Sequence, residues 1–199
     1  MPVKIERQYR SCAEEFRTAE DGNECIVEGY ASTFNPYVMW EDGETKYFEQ
    51  IDPRAFDDTD MSDVIMQYDH EGRVYARQSN GTLQLSVDDH GLKIRADLSK
   101  TEGARQLYED IRSGMITQMS FAFTVAEDAY SKDTHTRTIL RVKRLYDVSA
   151  VSIPANPDTT ISARSYFEGV IEAEHLEQIA AEERARKIAI LKLKLEVNS

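Results

Sequence analysis

The chain of 199 residues is built around the stretch Gln118-Met119-Ser120-Phe121-Ala122-Phe123-Thr124. Its alternation predicts a β-strand, because successive side chains of a strand point to opposite faces of the sheet. Met119, Phe121 and Phe123 then share one apolar face, and Ser120 lies on the opposite face. A serine in a strand is ordinary by itself, so a chemical role for Ser120 depends on what the rest of the chain supplies.

A helix is predicted immediately before this strand. Ser99 and Glu102 have the spacing of a capping box, and Gly114 is the glycine expected after the last helical turn. The apolar residues between them recur at helical spacing and form one face: Ala104, Leu107, Tyr108 and Ile111. This helix leads the chain into the strand of Ser120.

The remaining elements of the main domain are predicted to be mostly strands. Runs rich in β-branched and aromatic residues occur at 25–34, 46–51, 64–70 and 137–151, and a hairpin is predicted from 83–87 and 92–96. Connecting segments are a loop around Trp40, a helix start at Asp52-Pro53, and a polar hairpin loop from Asp128 to Thr136. We therefore predict a mixed, β-rich fold of the α+β class.

Composition and charge exclude several functional classes. The net charge of −12 argues against binding to nucleic acid or to an anionic membrane surface. No apolar run approaches the ~18–20 residues of a membrane span, and the N-terminus lacks the apolar core of a signal peptide. Only Cys12 and Cys25 are present, without a CxxC pair, so neither a zinc site nor a disulfide framework is indicated. We expect a reducing, cytosolic setting.

The composition changes after Pro157. Residues 163–195 are dominated by Glu, Ala, Lys, Arg, Leu and Ile, which predicts a long exposed helix with acids first and bases last. The apolar spacing is too irregular for a coiled coil, so the helix is either a solvated surface helix or a partner-docking helix. The predicted division is an N-terminal strand and loop extension at 1–24, a main domain at 25–162 and a helical appendage at 163–199.

Three polar residues on different predicted strands form a candidate catalytic set. Serine nucleophiles need a base that takes the hydroxyl proton and a third group that orients the base. Ser120, His70 and Asp147 supply these three chemical types. Spacing alone does not bring them together, and the order His, Ser, Asp is neither that of chymotrypsin-like nor that of subtilisin-like proteases. The absence of a GxSxG motif disfavours an α/β-hydrolase.

Structural explanations exist for the same residues. His70 ends a predicted apolar strand row formed by Val64, Met66 and Tyr68, where a structural histidine is common. Asp147 has nearby cations with which it can form a salt bridge: Arg141, Lys143 and Arg144. The two other histidines of the main domain, His90 and His135, fall in a predicted turn and in a predicted solvated loop.

Six pieces of the sequence stand in order over about residues 25–163. They are Glu28-Gly29-Tyr30-Ala31-Ser32-Thr33-Phe34, Phe48-Glu49-Gln50-Ile51-Asp52-Pro53-Arg54-Ala55-Phe56, Tyr68-Asp69-His70, Gly81-Thr82-Leu83 through Gly91-Leu92, Ile116-Thr117-Gln118-Met119-Ser120-Phe121-Ala122-Phe123, and Tyr146-Asp147-Val148-Ser149 with Ile153-Pro154-Ala155. Together they resemble the phage prohead protease family, the capsid-maturation serine proteases of tailed phages.

The resemblance implies a fold, an activity and a set of site residues. The implied fold is a mostly antiparallel β-barrel flanked by helices, similar to the herpesvirus assembly protease. The serine of the family's Met-Ser-Phe-x-Phe motif and the histidine after the first long strand correspond to Ser120 and His70. The acid before Val-Ser is commonly Glu in the family and is Asp147 here. Backbone N–H groups, with help from Arg141 or Arg144, would stabilise the oxyanion, and no metal or cofactor is required.

The implied setting is the immature capsid in the cytoplasm of a bacterial host. Such proteases cut the scaffolding segment from the major capsid protein and usually process themselves, so the expected partners are that protein and further copies of this chain. Nucleic acid and membrane are not expected partners. The C-terminal helix would bind scaffold helices, and the stretch Ala163-Arg164-Ser165 would be a place where it is trimmed off.

Two interpretations from other classes remain open at this point. One is a catalytically silent scaffold or assembly protein that keeps the fold. The other is a β-rich binding domain with a helical oligomerisation tail, in which His70, Ser120 and Asp147 would lie far apart.

Overall fold

The computed structural model describes residues 7–12, 16–19, 25–152 and 157–197. The chain divides into two compact units, Met1–Thr160 and Ile161–Ser199. Residues 153–156, which include the piece Ile153-Pro154-Ala155, lie outside the described residues, and so do residues 20–24 of the predicted N-terminal extension.

The described part of the first unit contains eleven strands and a helix. The strands are β1 (Gln8–Cys12), β2 (Arg17–Thr18), β3 (Ile26–Thr33), β4 (Tyr37–Asp42), β5 (Thr45–Ile51), β6 (Ile65–Tyr68), β7 (Glu71–Arg77), β8 (Leu83–Val87), β9 (Gly91–Asp97), β10 (Gln118–Ser131) and β11 (Thr136–Val151). Helix α1 (Glu102–Arg112) lies between β9 and β10, and helix α2 (Pro157–Val197) follows β11.

The strands form two sheets. A four-stranded antiparallel sheet has the order β2-β3-β9-β8. A seven-stranded sheet has the order β1-β10-β11-β5-β4, and in addition β6 pairs with β11 and β7 pairs with β6. Because β11 is 16 residues long, one edge holds two short strands in succession: β5 pairs in parallel with its first half and β6 with its last.

The predicted α+β class is confirmed, and antiparallel pairs predominate. The single β-barrel implied by the resemblance is not confirmed, because the described strands belong to two separate sheets and the larger one is mixed, with two parallel pairings on β11. Helices are present before β10 and after β11, as expected.

Strand β10 is buried on both faces along the stretch that contains Ser120. The predicted apolar face is confirmed by the burial of Met119, Phe121 and Phe123, and the rings of the two phenylalanines stack with centroids 4.7 Å apart. Ser120 is also buried, on the opposite face. A buried hydroxyl needs a hydrogen-bond partner, so the burial of Ser120 requires a polar group beside it.

The segment around His70 differs from its prediction. The strand β6 ends at Tyr68, and Asp69 and His70 form a two-residue turn in which both φ angles are positive, 49° and 62°. Two positive φ angles are the mark of the type I′ turn that joins right-twisted hairpin strands. The prediction that His70 continues the strand row is wrong, because His70 is a turn residue and β7 begins directly after it, at Glu71.

Several local predictions are corrected by long-range pairing. The segment around Trp40, predicted as a loop, is strand β4. It pairs with β5 through a turn that contains Gly43, and the ring centroids of Trp40 and Tyr47 are 5.0 Å apart. The segment 52–56 is a turn rather than a helix start, because the N–H of Ala55 donates to the Asp52 carbonyl and no helix follows. Strand β10 runs to Ser131, which shortens the predicted loop.

Other local predictions are confirmed. The hairpin β8–β9 and the strands β3 and β5 lie where the sequence placed them. Helix α1 buries the predicted face and is followed by Gly114 at φ 76°, but its N-cap is Thr101, not Ser99, since the Thr101 hydroxyl accepts from the N–H of Ala104 at 3.1 Å.

The predicted C-terminal helix is also confirmed, as α2. Across the described ranges, no helix is long and apolar enough to cross a membrane.

Candidate active site

The turn between β6 and β7 presents His70 and is fastened to the end of β11. The backbone N–H of Asp69 donates to the carbonyl of Ala150 at 2.9 Å. The Asp69 carboxylate accepts from both the N–H and the hydroxyl of Ser152, each at 2.8 Å. Aspartate is among the residues that tolerate a positive φ. Asp69 therefore suits the backbone conformation of the turn, and its hydrogen bonds also anchor the turn to the end of β11.

The pairing of β10, β11 and β6 brings the other two candidates beside this turn. Ser120 on β10 faces Ser149 across the antiparallel pair, and Asp147 on β11 faces Ala122. On its other edge, β11 pairs Asp147 with Ile65 at the start of β6. Strand β6 therefore runs from the level of Asp147 toward the level of Ser120 and delivers His70 at its end.

The structure brings together the three residues singled out from the sequence. The Nδ1 atom of His70 lies 2.5 Å from Oδ1 of Asp147, and its Nε2 atom lies 2.7 Å from Oγ of Ser120. The side chain of His70 is 8% exposed and that of Asp147 is 2% exposed. The interpretation that places these residues far apart is therefore wrong.

The hydrogen-bond roles follow from the chemistry of the end groups. A carboxylate at Asp147 only accepts, so Nδ1 of His70 carries the proton of that bond. Nε2 is then the acceptor for the Ser120 hydroxyl, which is the arrangement that lets a histidine take a proton from a serine. Burial strengthens both bonds, because the polarity around them is low.

The salt bridges proposed as an alternative for Asp147 are not formed. Arg141 pairs with Glu127, and Arg144 pairs with Asp60. Register shifts interrupt the β10–β11 pairing beyond the pair of Ala122 and Asp147, so alternation counted from Arg141 or Arg144 does not continue unbroken to Asp147. These bulges change which side chains face inward along the strand.

Two neighbours of the site were missed by the sequence analysis. The hydroxyl of Ser149 donates to Oδ1 of Asp147 at 2.7 Å, and Ser149 is completely buried. The ring of Tyr9 on β1 packs edge-on against His70 with centroids 4.7 Å apart. The spacing of Asp147 and Ser149, two apart on one strand, is a signal that could have identified Ser149. Nothing in the N-terminal extension indicates Tyr9.

The remaining histidines of the main domain lie in other surroundings. His90 is in the loop before β9, and its ring packs on Tyr30 with centroids 4.5 Å apart. His135 is half-buried beside Tyr47 and 3.2 Å from the Tyr130 hydroxyl, so the prediction that it is solvated is wrong. Within the described segments, no group of three or more His, Cys, Asp or Glu side chains has the arrangement of a metal site.

A separate charged network is buried across the same sheet. Glu49 on β5 binds Arg10 on β1, with a contact of 3.0 Å, and Arg137 on β11 at 2.9 Å. Tyr37 on β4 donates to Glu49 at 2.5 Å, and Arg137 also pairs with Asp128 on β10 at 2.6 Å. The network thus spans five neighbouring strands.

The electrostatics of this network are dominated by Glu49. Burial raises the pKa of the Glu49 carboxyl, but the charge and hydrogen bonds of Arg10, together with Arg137, outweigh burial and lower that pKa to about 2. Burial and the Glu49 charge raise the pKa of Tyr37 well above its ordinary value. The carboxylate of Glu49 is consequently the charged partner on which the network depends.

Comparison with known proteins adds independent evidence. The sequence profile of a family described as caudovirus prohead serine protease matches residues 13–172. The prohead protease of enterobacteria phage HK97 is 29% identical over 160 residues, which cover 78% of this chain and 67% of that protein. No solved structure matches the chain significantly. The matched range includes every element that carries Ser120, His70 and Asp147.

Proposed function

The chain belongs to the caudovirus prohead serine protease family, and from this premise we propose that it is a serine endopeptidase with Ser120, His70 and Asp147 as catalytic residues. The observation that carries the proposal is the unbroken run of hydrogen bonds from Asp147 through His70 to Ser120, 2.5 and 2.7 Å long. A serine protease needs a base within hydrogen-bond reach of its nucleophile and an orienting group behind the base, and this geometry meets both conditions.

In the proposed mechanism, Oγ of Ser120 attacks the scissile carbonyl while Nε2 of His70 takes its proton. The tetrahedral intermediate collapses when His70 gives that proton to the leaving amine, which leaves an acyl group on Ser120. Water, deprotonated by His70, then releases the acyl group. Asp147 accepts the hydrogen bond from the Nδ1–H group of His70 throughout and stabilises the imidazolium that forms in each half-reaction.

The oxyanion of each intermediate requires N–H donors that are already in position. Arg141 and Arg144, considered for this role from the sequence, are about half exposed and paired with Glu127 and Asp60. Their engagement elsewhere favours backbone N–H groups as the donors in this protein.

We propose that the substrates are the scaffolding segment of the phage major capsid protein and the chain itself, within the procapsid in the host cytoplasm. The name of the HK97 relative, a prohead protease, supports this setting. Self-processing implies that copies of the chain meet during assembly. Neither nucleic acid nor a membrane is part of this proposal.

The proposed domain division keeps an N-terminal extension at 1–24, a protease domain at 25–162 and a docking tail at 163–199. The compact units Met1–Thr160 and Ile161–Ser199 support the second boundary. Residues 163–165, the proposed trimming point, are helical, and a protease binds its substrate in an extended form. Trimming would therefore follow local unfolding of this part of α2.

The direct test is expression together with the major capsid protein of the same phage. Wild type, Ser120→Ala and Ser86→Ala are compared by intact mass, the last being a serine exposed on strand β8. We expect loss of a capsid N-terminal segment, or of this chain's tail, with wild type and Ser86→Ala only. Identical masses for all three, with circular dichroism showing folded protein, would instead support a silent assembly protein.

A further inference from the structure

Helix α2 exposes large apolar side chains beyond its first turns. Phe167 is buried, whereas Leu176 is 60% exposed, Ile179 is 42% exposed and Ile190 is 45% exposed. Ile188 is also exposed, but it lies on another side of the helix. Counted over the whole helix, the apolar spacing is irregular. The three exposed residues nevertheless belong to a shorter stretch in which the spacing is regular.

This stretch has the spacing of a coiled coil. Five exposed residues follow one another at alternating steps of three and four, and we call them the tail stripe: Leu176, Ile179, Glu183, Arg186 and Ile190. Such steps place all five on one side of the helix, at the a and d positions of a heptad. The sequence continues the same spacing with Leu193 and Val197.

The order of residues along the tail stripe is symmetric about its centre. The pair Ile179 and Ile190 and the pair Glu183 and Arg186 both have their midpoint between residues 184 and 185. In a two-fold arrangement of two antiparallel copies, each contact occurs twice. Ile179 then meets Ile190 of the second copy on one side of the axis, and Ile190 meets Ile179 of the second copy on the other side.

The charges at the centre distinguish the antiparallel arrangement from the parallel one. Antiparallel copies place Glu183 against Arg186 of the second copy, twice, so both central layers pair opposite charges. Parallel copies would place Glu183 against Glu183 and Arg186 against Arg186, which is repulsive. Polar residues at core positions fix register and partner orientation at some cost in stability.

The positions beside the tail stripe agree with this arrangement. In the same register, Glu182 lies beside Ala189 of the second copy and Lys187 lies beside Ala180, so no like charges face each other. On a larger scale, the acidic first part of the helix lies along the basic last part of the second copy.

We propose that the tail stripe is a self-association surface, on which two copies of this chain pair through α2 as an antiparallel coiled coil. The inference does not depend on the proposed catalysis. From Leu176 to Leu193 the contact is about 26 Å long, which is short for a stable interface. Dimerisation is therefore weak in dilute solution, with a Kd in the micromolar range, and increases where copies of the chain are concentrated.

The test is sedimentation of the full chain over a range of concentrations. All samples carry Ser120→Ala, so that the proposed self-processing cannot remove the tail. We expect a reversible monomer–dimer equilibrium for this parent chain. Glu183→Arg and Arg186→Glu should each raise Kd by at least about tenfold, because both central layers then hold like charges.

Combinations of these variants test the register. An equimolar mixture of Glu183→Arg and Arg186→Glu should regain the parent Kd, since both layers pair opposite charges again. The double variant should do so by itself. The matched control is Arg184→Glu, an exposed residue that lies off the tail stripe, and it should keep the parent Kd. Circular dichroism shows that each variant retains its helix.

Several results would overturn the inference. One is a parent chain that is monomeric at every concentration, or that associates only when the scaffolding segment of the capsid protein is added. A second is an equal effect of Arg184→Glu and Arg186→Glu on Kd. A third is a mixture that dimerises more tightly than the parent, because this indicates parallel helices. None of these results bears on Ser120 as nucleophile, so the proposed function is tested separately.

Discussion

At the scale of single residues, one carboxylate oxygen organises the candidate site. Oδ1 of Asp147 receives hydrogen bonds from Nδ1 of His70 and from the Ser149 hydroxyl, and both Asp147 and Ser149 are buried. A buried carboxylate with two donors has a fixed position, and a histidine bonded to it has a fixed tautomer and ring orientation. Predictions about the chemistry therefore start from these two bonds.

Asp147→Asn tests the orienting role. The amide has almost the shape of the carboxylate, but its NH₂ group favours the wrong histidine tautomer, so Nε2 would carry the proton and could not accept one from Ser120. We expect kcat to fall by about 10⁴-fold with little change in KM. Peptide-cleavage kinetics measure both constants. A variant with at least a tenth of wild-type kcat would contradict the assignment of Asp147.

Ser149→Ala tests whether this serine is a positioning residue. Its hydroxyl donates to a charged acceptor, a bond worth about 1.5–3 kcal/mol, and its loss leaves Asp147 held by His70 alone. We expect kcat to fall about tenfold with unchanged KM, and the pH profile of kcat to shift. A merely structural role would lower the melting temperature while both the pH profile and the kcat of the folded fraction stayed as in wild type.

How much could be predicted depends on the residue. Ser120, His70 and Asp147 were identified through a family resemblance, because periodicity alone gave each of them an ordinary structural explanation. Their mutual contact depends on parallel pairing of β6 with β11, which no local pattern encodes. Tyr9 lies on β1, which pairs with β10 although more than a hundred residues separate the two strands in the chain. The contact of Tyr9 with His70 therefore has no signal in the nearby sequence.

At the scale of elements, the short turn that carries His70 is held by one residue. Asp69→Ala removes both hydrogen bonds to Ser152 from a position with a positive φ, where alanine is disfavoured. We expect a loss of about 1–3 kcal/mol in the free energy of unfolding and a fall in kcat, because His70 would no longer be fixed. Urea denaturation and cleavage kinetics measure the two effects.

The matched control for this turn is Asp69→Asn. Asparagine tolerates a positive φ and keeps a side-chain oxygen for the N–H of Ser152, so most of the stability and activity should remain. Equal losses in the alanine and asparagine variants would show that the charge of Asp69, and not the geometry of the turn, is what matters.

Elements were predictable where local pattern and tertiary pairing agree. The β8–β9 hairpin, helix α1 and strand β10 have strong local signals and form as predicted. Strand β4 has an acidic, mixed sequence and exists because it pairs with β5. The Asp52-Pro53 segment has the residues of a helix start, but the N–H of Val142 donates to the Ala55 carbonyl, which ties the turn to β11 instead.

At the scale of the whole molecule, the buried network around Glu49 joins five strands of the large sheet. Glu49→Gln removes the negative charge that two buried arginines, Arg10 and Arg137, share. Uncompensated buried charges are costly, and we expect about 3–5 kcal/mol less free energy of unfolding at pH 7. Glu41→Gln is the matched control, because the exposed pair of Glu41 with Lys46 is worth at most about 1 kcal/mol.

The same network sets the acid sensitivity of the fold. The pKa of Glu49 is about 2 in the folded protein against an ordinary value of 4.5, so the unfolded chain binds a proton more readily than the folded one. Its contribution to stability is complete above about pH 4.5 and disappears as the pH falls through about 2. Wild type should therefore lose stability more steeply than Glu49→Gln across this window in denaturation curves followed by circular dichroism, while Glu41→Gln should parallel wild type. Parallel curves for wild type and Glu49→Gln would mean that other carboxyls control the acid transition and that the five-strand network contributes little to it.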